Sequence, residues 1–323
     1  MTQAIRIHEH GGPEVLRFEE VETGSPAAGQ ALVRHTAIGL NFIDTYHRTG
    51  LYPLALPAIL GSEAAGVVVA VGPGMADLAP GDRVAYAGGP PGSYATERLF
   101  PADRLVPLPA DISDEAAAAM MLKGMTVRYL LRKTYRLEPG ETILLHAAAG
   151  GVGLIAVQWA KRLGATVIGT VSTDEKAELA RRYGCDHVVV TSREDFVSRT
   201  REITGGRGVP VVYDSVGKET FSGSLDCLSP LGLMVSFGNA SGPVAPFPLA
   251  LLGAKGSLFL TRPSLGHYVA SRAELLETAG DLFAQVRTGL SIDINQRWPL
   301  REAADAHRAL EARRTTGSTL LVP

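Results

Sequence analysis

The stretch LLHAAAGGVGLIAVQWAKRLGATVIGTV, residues 144–171, sets three glycines between an apolar run and a helical apolar repeat. Glycine suits a place where the backbone turns tightly or something must approach it closely. Ahead of the turn, TILLHA (142–147) reads as a strand. Behind it, Val152, Ile155, Ala156, Trp159, Ala160 and Leu163 recur at helical spacing, with Lys161 and Arg162 late and Gly164 just past the end. The turn itself, Gly151-Val152-Gly153-Leu154-Ile155-Ala156, matches G-x-G-x-x-A. Gly150 and Gly151 permit the turn and a close approach, and Gly153 lets helix and strand pack closely. Free N–H groups at a helix N-terminus hold a pyrophosphate, so a dinucleotide is expected here. A strand–helix turn without a ligand is the plain alternative.

Working outward, strands are expected at 142–147, 166–171, 187–190, 209–214, 231–237 and 256–261, with helical patterns between most of them. This alternation predicts an α/β fold with a doubly wound parallel sheet of the Rossmann type. Up to about residue 110 the texture differs, with β-rich segments 30–41, 64–72, 81–88 and 94–100 bounded by glycine and proline. Ser113, followed by Asp114 and Glu115, predicts a capped helix start. Ser271 and Glu274 form a capping box ahead of Leu275, Leu276, Ala279, Leu282, Phe283 and Val286. A further helix is expected over 301–312, then a terminal strand in GSTLLVP.

A carboxylate about 20 residues past the glycines would read the 2′-hydroxyl of NAD. Here the second strand runs into Ser172, Thr173, Asp174 and Lys176. Asp174, beside Glu175, suits the first turn of the next helix. Ser172, Thr173 and Lys176 offer hydroxyl donors and a cation, which suit a 2′-phosphate and predict NADPH.

Composition narrows the function. The 323 residues allow two domains, and 46% apolar with 20% charged residues fits a folded globular chain. A net charge of −2 without basic–aromatic interleaving argues against a nucleic-acid partner. No run of about 18 apolar residues suggests a membrane span. The N-terminal MTQAIRIHEHGG has no signal-peptide pattern, so a cytoplasmic location is expected. Cys185 and Cys227 are too few for a disulfide framework or a cysteine-built zinc site, and both are expected to pack.

The chain resembles the zinc-free quinone oxidoreductase (zeta-crystallin-like) branch of the medium-chain dehydrogenase/reductase family. The resemblance rests on GLNFIDTYHRTGLYP (39–53), GSEAAGVVVAVG (61–72), GDRVAY (81–86), LKGMTVRYLL (122–131), HAAAGGVG (146–153), VVYDSVG (211–217) and LTRPSL (260–265). It implies a GroES-like β-rich catalytic domain over 1–124, completed by 262–323, and a Rossmann NADPH-binding domain over 125–261. Asn41, Ser62 and Lys123 stand where the related zinc enzymes would carry metal ligands, so no metal is expected. Without a Lewis acid a ketone is a poor hydride acceptor, whereas a quinone accepts readily.

The resemblance further implies that Asn41, Tyr46 and Arg262 orient and polarise the quinone oxygens in an interdomain cleft. Tyr46, Tyr52 and Thr126 would meet the substrate. On the cofactor side it implies Asn41, Tyr46, Thr126, Gly150, Gly151, Val152, Gly153, Ser172, Thr173, Lys176, Thr191, Ser215, Phe237, Gly238, Asn239, Thr261, Arg262, Gly317 and Ser318. Thr191 departs from close relatives, which carry a tyrosine in that turn. Each residue has a plainer reading: Tyr46 and Tyr52 as packing, Arg262 as an ion-pair partner, Gly317 as a turn. The expected activity is NADPH:quinone oxidoreductase in a homodimer. An NADPH-dependent reductase of α,β-unsaturated carbonyls and a non-catalytic, crystallin-like NADPH-binding protein are the alternatives.

Overall fold

The glycine turn stands at the middle of a six-stranded parallel sheet in a computed structural model that describes residues 1–323. The strand order is His187–Val190, Thr166–Val171, Thr142–Leu145, Val209–Asp214, Leu228–Ser236, Phe259–Thr261. The order reverses beside Thr142–Leu145, the switch point at which doubly wound sheets bind ligands. Helix Gly151–Arg162 follows that strand and buries Ile155, Ala156, Trp159 and Ala160, the face its periodicity predicts. Gly164 stops it with φ +83°, a conformation costly for any side chain. The opposite core gathers Leu144, Ile168, Val189, Val212 and Met234. Burying such aliphatic side chains stabilises the unit by about 1.5–3 kcal/mol each.

Three strands differ from the sequence expectation, and the first of them, expected over 142–147, ends at Leu145 because Ala147 (φ +55°) already turns the chain. The fifth begins earlier, at Leu228. The sixth is shorter, because Gly256 (φ +115°) and Ser257 (φ +56°) turn the chain before Phe259–Thr261 can pair.

The chain divides into two compact units: Met1–Met125 with Tyr268–Arg287 and Ile292–Pro323, and Thr126–His267 with Thr288–Ser291. The second holds the parallel sheet. In the first, Gln30–Leu40 is the organising strand of a seven-stranded sheet. It pairs antiparallel with Glu63–Val71, Glu97–Pro101 and the C-terminal Ser318–Val322. Register shifts at Leu32/Val33 and His35/Ala37 bend its ladder with Glu63–Val71. Its inward face joins Ile5, Ile7, Tyr86, Tyr94 and Phe100 in one core. A three-stranded sheet, Arg17–Val21, Thr2–Ile7 and Ala58–Ile59, completes the β structure.

Both predicted helix starts form. Ser113 Oγ accepts from Ala116 N at 3.1 Å, and Ser271 and Glu274 exchange the two bonds of a capping box. Leu276, read as part of the apolar face, is instead 39% exposed, since the stripe of helix Arg272–Arg287 centres on Leu275, Ala279 and Leu282. Cys185 and Cys227 are buried free thiols, and burial pushes both up to about 12, so they pack as inert apolar groups. No helix is long and apolar enough to cross a membrane.

Candidate active site

In the second unit the expected residues converge because the sheet is parallel: every strand delivers its C-terminal end to the same edge. Gly150, Gly151, Val152 and Gly153 follow the strand ending at Leu145, and Ser172, Thr173 and Lys176 follow Val171. Thr191 follows Val190, Ser215 follows Asp214, Phe237–Asn239 follow Ser236, and Thr261 ends the last strand, with Arg262 next.

At the central strand, Leu154 N donates to Gly150 O at 2.9 Å as the first intrahelical bond. The amides of Gly151, Val152 and Gly153 therefore have no acceptor within the helix. The first turn holds no acidic residue, and no side chain caps it. A Cβ on Gly153 would collide with the carbonyls of Ala147 and Ala148. These features fit a pyrophosphate seated on amides that the helix leaves without acceptors, over a closely packed helix and strand.

A buried polar lattice that the sequence reading missed holds this edge in shape. His146 places Nδ1 2.8 Å from Thr170 Oγ1 and Nε2 2.9 Å from Ser224 Oγ. Ser224 and Thr220 donate to the fully buried Asp214. Asp214 Oδ1 also accepts from Val216 N and Gly217 N, which shapes the turn carrying Ser215. Burial holds His146 below its usual pKa, hence neutral and able to accept as well as donate. The motifs HAAAGG and VVYDSVG were conspicuous in the sequence, but their side-chain pairing was not.

At the fourth and fifth strand ends, a Cβ on Gly238 would strike the Ser215 backbone, 2.9 Å from its Cα. Arg262 turns onto this loop, donating to Ser236 O at 3.1 Å and Gly238 O at 2.9 Å. In the amide orientation that satisfies both its groups, Asn239 accepts from Arg262 at 3.0 Å and donates to Gly238 O. The guanidinium thus braces residues 236–239. At the second strand end, Thr173 caps helix Asp174–Arg182 by accepting from Lys176 N. Thr191 Oγ1 donates to Val171 O at 3.1 Å, tying two strand ends together. Thr126 lies half-buried on helix Asp114–Tyr129.

In the first unit, Asn41 precedes helix Phe42–Thr49, which carries Tyr46; Tyr52 follows two residues after the left-handed Gly50. Tyr46 and Tyr52 meet edge to face, with centroids 5.2 Å apart. The pairing of Thr319 with Leu40 sets Gly317 and Ser318 beside Asn41. Ser318 is buried with its hydroxyl on Ala119 O, and Gly317 turns the chain at φ +57°.

Asn41 is held from two sides. Its amide Nδ2 donates to Glu63 Oε2 at 2.8 Å, and its backbone N–H donates to Asp44 Oδ2 at 2.9 Å. Glu63 is fully buried, and its two oxygens also take Lys123 Nζ at 3.2 Å and Leu122 N at 2.6 Å. Gly39 makes room for this carboxylate, since a Cβ there would lie 2.8 Å from Glu63 Cδ. Ser62 donates to Asp44 Oδ1 at 2.9 Å. Thus all three positions expected to lack metal ligands belong to a hydrogen-bonded cluster built on two carboxylates. No group of three or more His, Cys, Asp or Glu residues is placed to hold a metal ion.

Behind Asp44 runs a second unforeseen chain. Tyr94 donates to Asp44 at 3.0 Å, His307 Nε2 lies 3.0 Å from Tyr94 Oη, and Arg48 lies 2.9 Å from His307 Nδ1. Arg48, 1% exposed, forms a two-bond ion pair with Glu311. Burial raises Asp44 to about 6 and lowers His307 to about 3.

Comparison with known proteins places the chain among dehydrogenases. Residues 27–110 match the family model described as alcohol dehydrogenase GroES-like domain, and residues 151–282 the one described as zinc-binding dehydrogenase. The chain is 54% identical to a quinone oxidoreductase of Pseudomonas aeruginosa, with full coverage of both chains. It is 50% identical to a 2-haloacrylate reductase of Burkholderia sp, over 100% of this chain and 99% of that protein. The crystal structure of Escherichia coli quinone oxidoreductase complexed with NADPH matches with a TM-score of 0.98 at 52% identity, covering 100% of each chain.

Proposed function

The chain belongs to the quinone oxidoreductase branch of the medium-chain dehydrogenase/reductase family, and from that premise we propose that it is an NADPH:quinone oxidoreductase. The second unit would hold NADPH and the first would carry the substrate-side residues. When bound, NADPH supplies the hydride that the quinone accepts. Gly150–Gly153 would take the pyrophosphate on backbone amides, and Ser172, Thr173 and Lys176 the 2′-phosphate.

The observation that carries this reading is the occupation of Glu63 by Lys123 and Asn41. Those contacts engage the Glu63 carboxylate with a cation and an amide rather than leaving it to a Lewis-acid metal, and a quinone is an acceptor that needs none. Asn41, held on both sides, is pre-organised to orient a substrate oxygen, and Tyr46 offers a hydroxyl for the same purpose. Arg262 would contribute by positioning the Ser236–Asn239 loop.

Support for a second substrate class comes from the 50% identical 2-haloacrylate reductase, whose name gives an activated alkene as its substrate. Anaerobic NADPH oxidation with a panel of quinones and enones tests both readings. Quinone turnover that survives a chelator is expected. Tight NADPH binding with no turnover of either class would leave only a binding protein.

We further propose a cytoplasmic homodimer. The sheet-edge strand Phe259–Thr261 leaves Phe259 60% exposed, an edge that pairing with a second copy would cover. Two unpaired cysteines suit a reducing compartment. Light scattering that reports a monomer at micromolar concentration would rule out the dimer.

A further inference from the structure

Strands Thr166–Val171 and His187–Val190 are parallel neighbours in register, Val171 against Val190. Their ends release two short segments side by side: Ser172-Thr173-Asp174 and Thr191-Ser192-Arg193. Thr191 N donates to Val171 O at 2.9 Å, and Arg193 N to Val190 O at 3.1 Å, so both segments are anchored at the sheet edge. Across the gap, Arg193 Nη1 meets Asp174 Oδ2 at 2.6 Å. Both side chains remain more than half exposed, so the pair contributes little to folding. Its placement calls for another account.

A carboxylate at the end of the second strand is the group that accepts the ribose 2′-hydroxyl of a cofactor without a 2′-phosphate. The same carboxylate repels a 2′-phosphate. Asp174 stands three residues past the end of that strand, in the first turn of helix Asp174–Arg182, two residues before Lys176 and directly before Glu175. Left bare, the first helical turn would present the two carboxylates of Asp174 and Glu175 beside Lys176, with Arg181 farther along the helix the remaining cation acting on Asp174. The Arg193 guanidinium cancels the Asp174 charge and occupies its oxygen.

We propose that Arg193 is a specificity determinant that masks Asp174 and so turns the adenosine end from NADH toward NADPH. The inference rests on the reading of the second unit as an NADPH-binding unit. It assigns Asp174 a function that its place in a first helical turn does not reveal, and gives the segment around Thr191 a role in phosphate preference without an aromatic side chain.

Fluorescence titration of NADPH and NADH against wild type, Arg193→Ala, Asp174→Asn and the double variant tests this. Arg193→Ala should weaken NADPH binding by about 10-fold at low salt, as expected for a bare carboxylate within several ångströms of a phosphate dianion. NADH affinity should hold or improve. In the Asp174→Asn background, removing Arg193 should change NADPH binding by less than about 3-fold, because no carboxylate remains to mask. Equal loss for both cofactors, or the same NADPH loss with and without Asp174, would overturn the inference. Wild type that binds both cofactors equally would remove the NADPH reading along with it. An NADPH-over-NADH preference left unchanged by Arg193→Ala would remove the inference alone.

Discussion

Lys123 Nζ lies 3.2 Å from Glu63 Oε2, with the lysine side chain 7% exposed and the carboxylate not at all. Two charges taken from water together are tolerable; one left alone is not. Lys123→Met should therefore cost about 3–5 kcal/mol in urea denaturation, because Glu63 would be left buried without its cationic partner. The double variant Glu63→Gln, Lys123→Met should recover most of that loss. A single variant as stable as wild type would show that Glu63 does not need the ammonium.

Gly153→Val and Tyr46→Phe should separate binding from turnover. The valine would drive a branched side chain into backbone at Ala147 and Ala148, so NADPH binding should fail. The phenylalanine keeps the ring that meets Tyr52 and loses only a hydroxyl. Cofactor affinity should hold while turnover falls about 10- to 1000-fold, toward the low end for an easily reduced quinone. Stopped-flow oxidation beside fluorescence titration reads both, and undiminished turnover would take Tyr46 out of the chemistry.

Lys176→Ala should weaken NADPH by roughly 10- to 150-fold, the range of one lost charge-assisted hydrogen bond, and leave NADH nearly untouched. Calorimetric titration with each cofactor checks it. Equal losses would show that Lys176 serves the helix rather than the phosphate.

Stability should fall as pH drops from about 6.5 to 4. Burial lowers His35 to about 4 and His307 to about 3, so in this range the unfolded chain binds these protons and the native one resists them. Asp44, raised to about 6 by burial, acts in the opposite sense between about 4 and 6. There the native state binds its proton first, which offsets one histidine. These three groups leave a net slope of about 1.4 kcal/mol per pH unit, one proton's worth. Asp44→Asn removes the offset and should steepen the decline below pH 6. Denaturation curves at half-unit intervals would show it, and an unchanged slope would mean that Asp44 does not titrate there.

Local chemistry was readable from the chain alone. The helix behind Gly150–Gly153, its stop at Gly164, the caps at Ser113 and Ser271 and the alternation of strands with helices all arise from contacts a few residues apart. Side-chain periodicity, free amides and glycine dihedrals follow from neighbours on the same segment, so sequence spacing determines them. The parallel sheet then obliges every strand-end residue to share one edge, which is why the glycines, Ser172 and Ser215 converge. Only the tertiary structure decided what the buried polar groups bond to. Arg48 meets His307 across 259 positions, Glu63 meets Lys123 across 60, and Asp174 meets Arg193 across 19. Spacing is silent about such pairs, because the register between distant segments decides which atoms meet and the cost of burying an unpaired charge selects the partners.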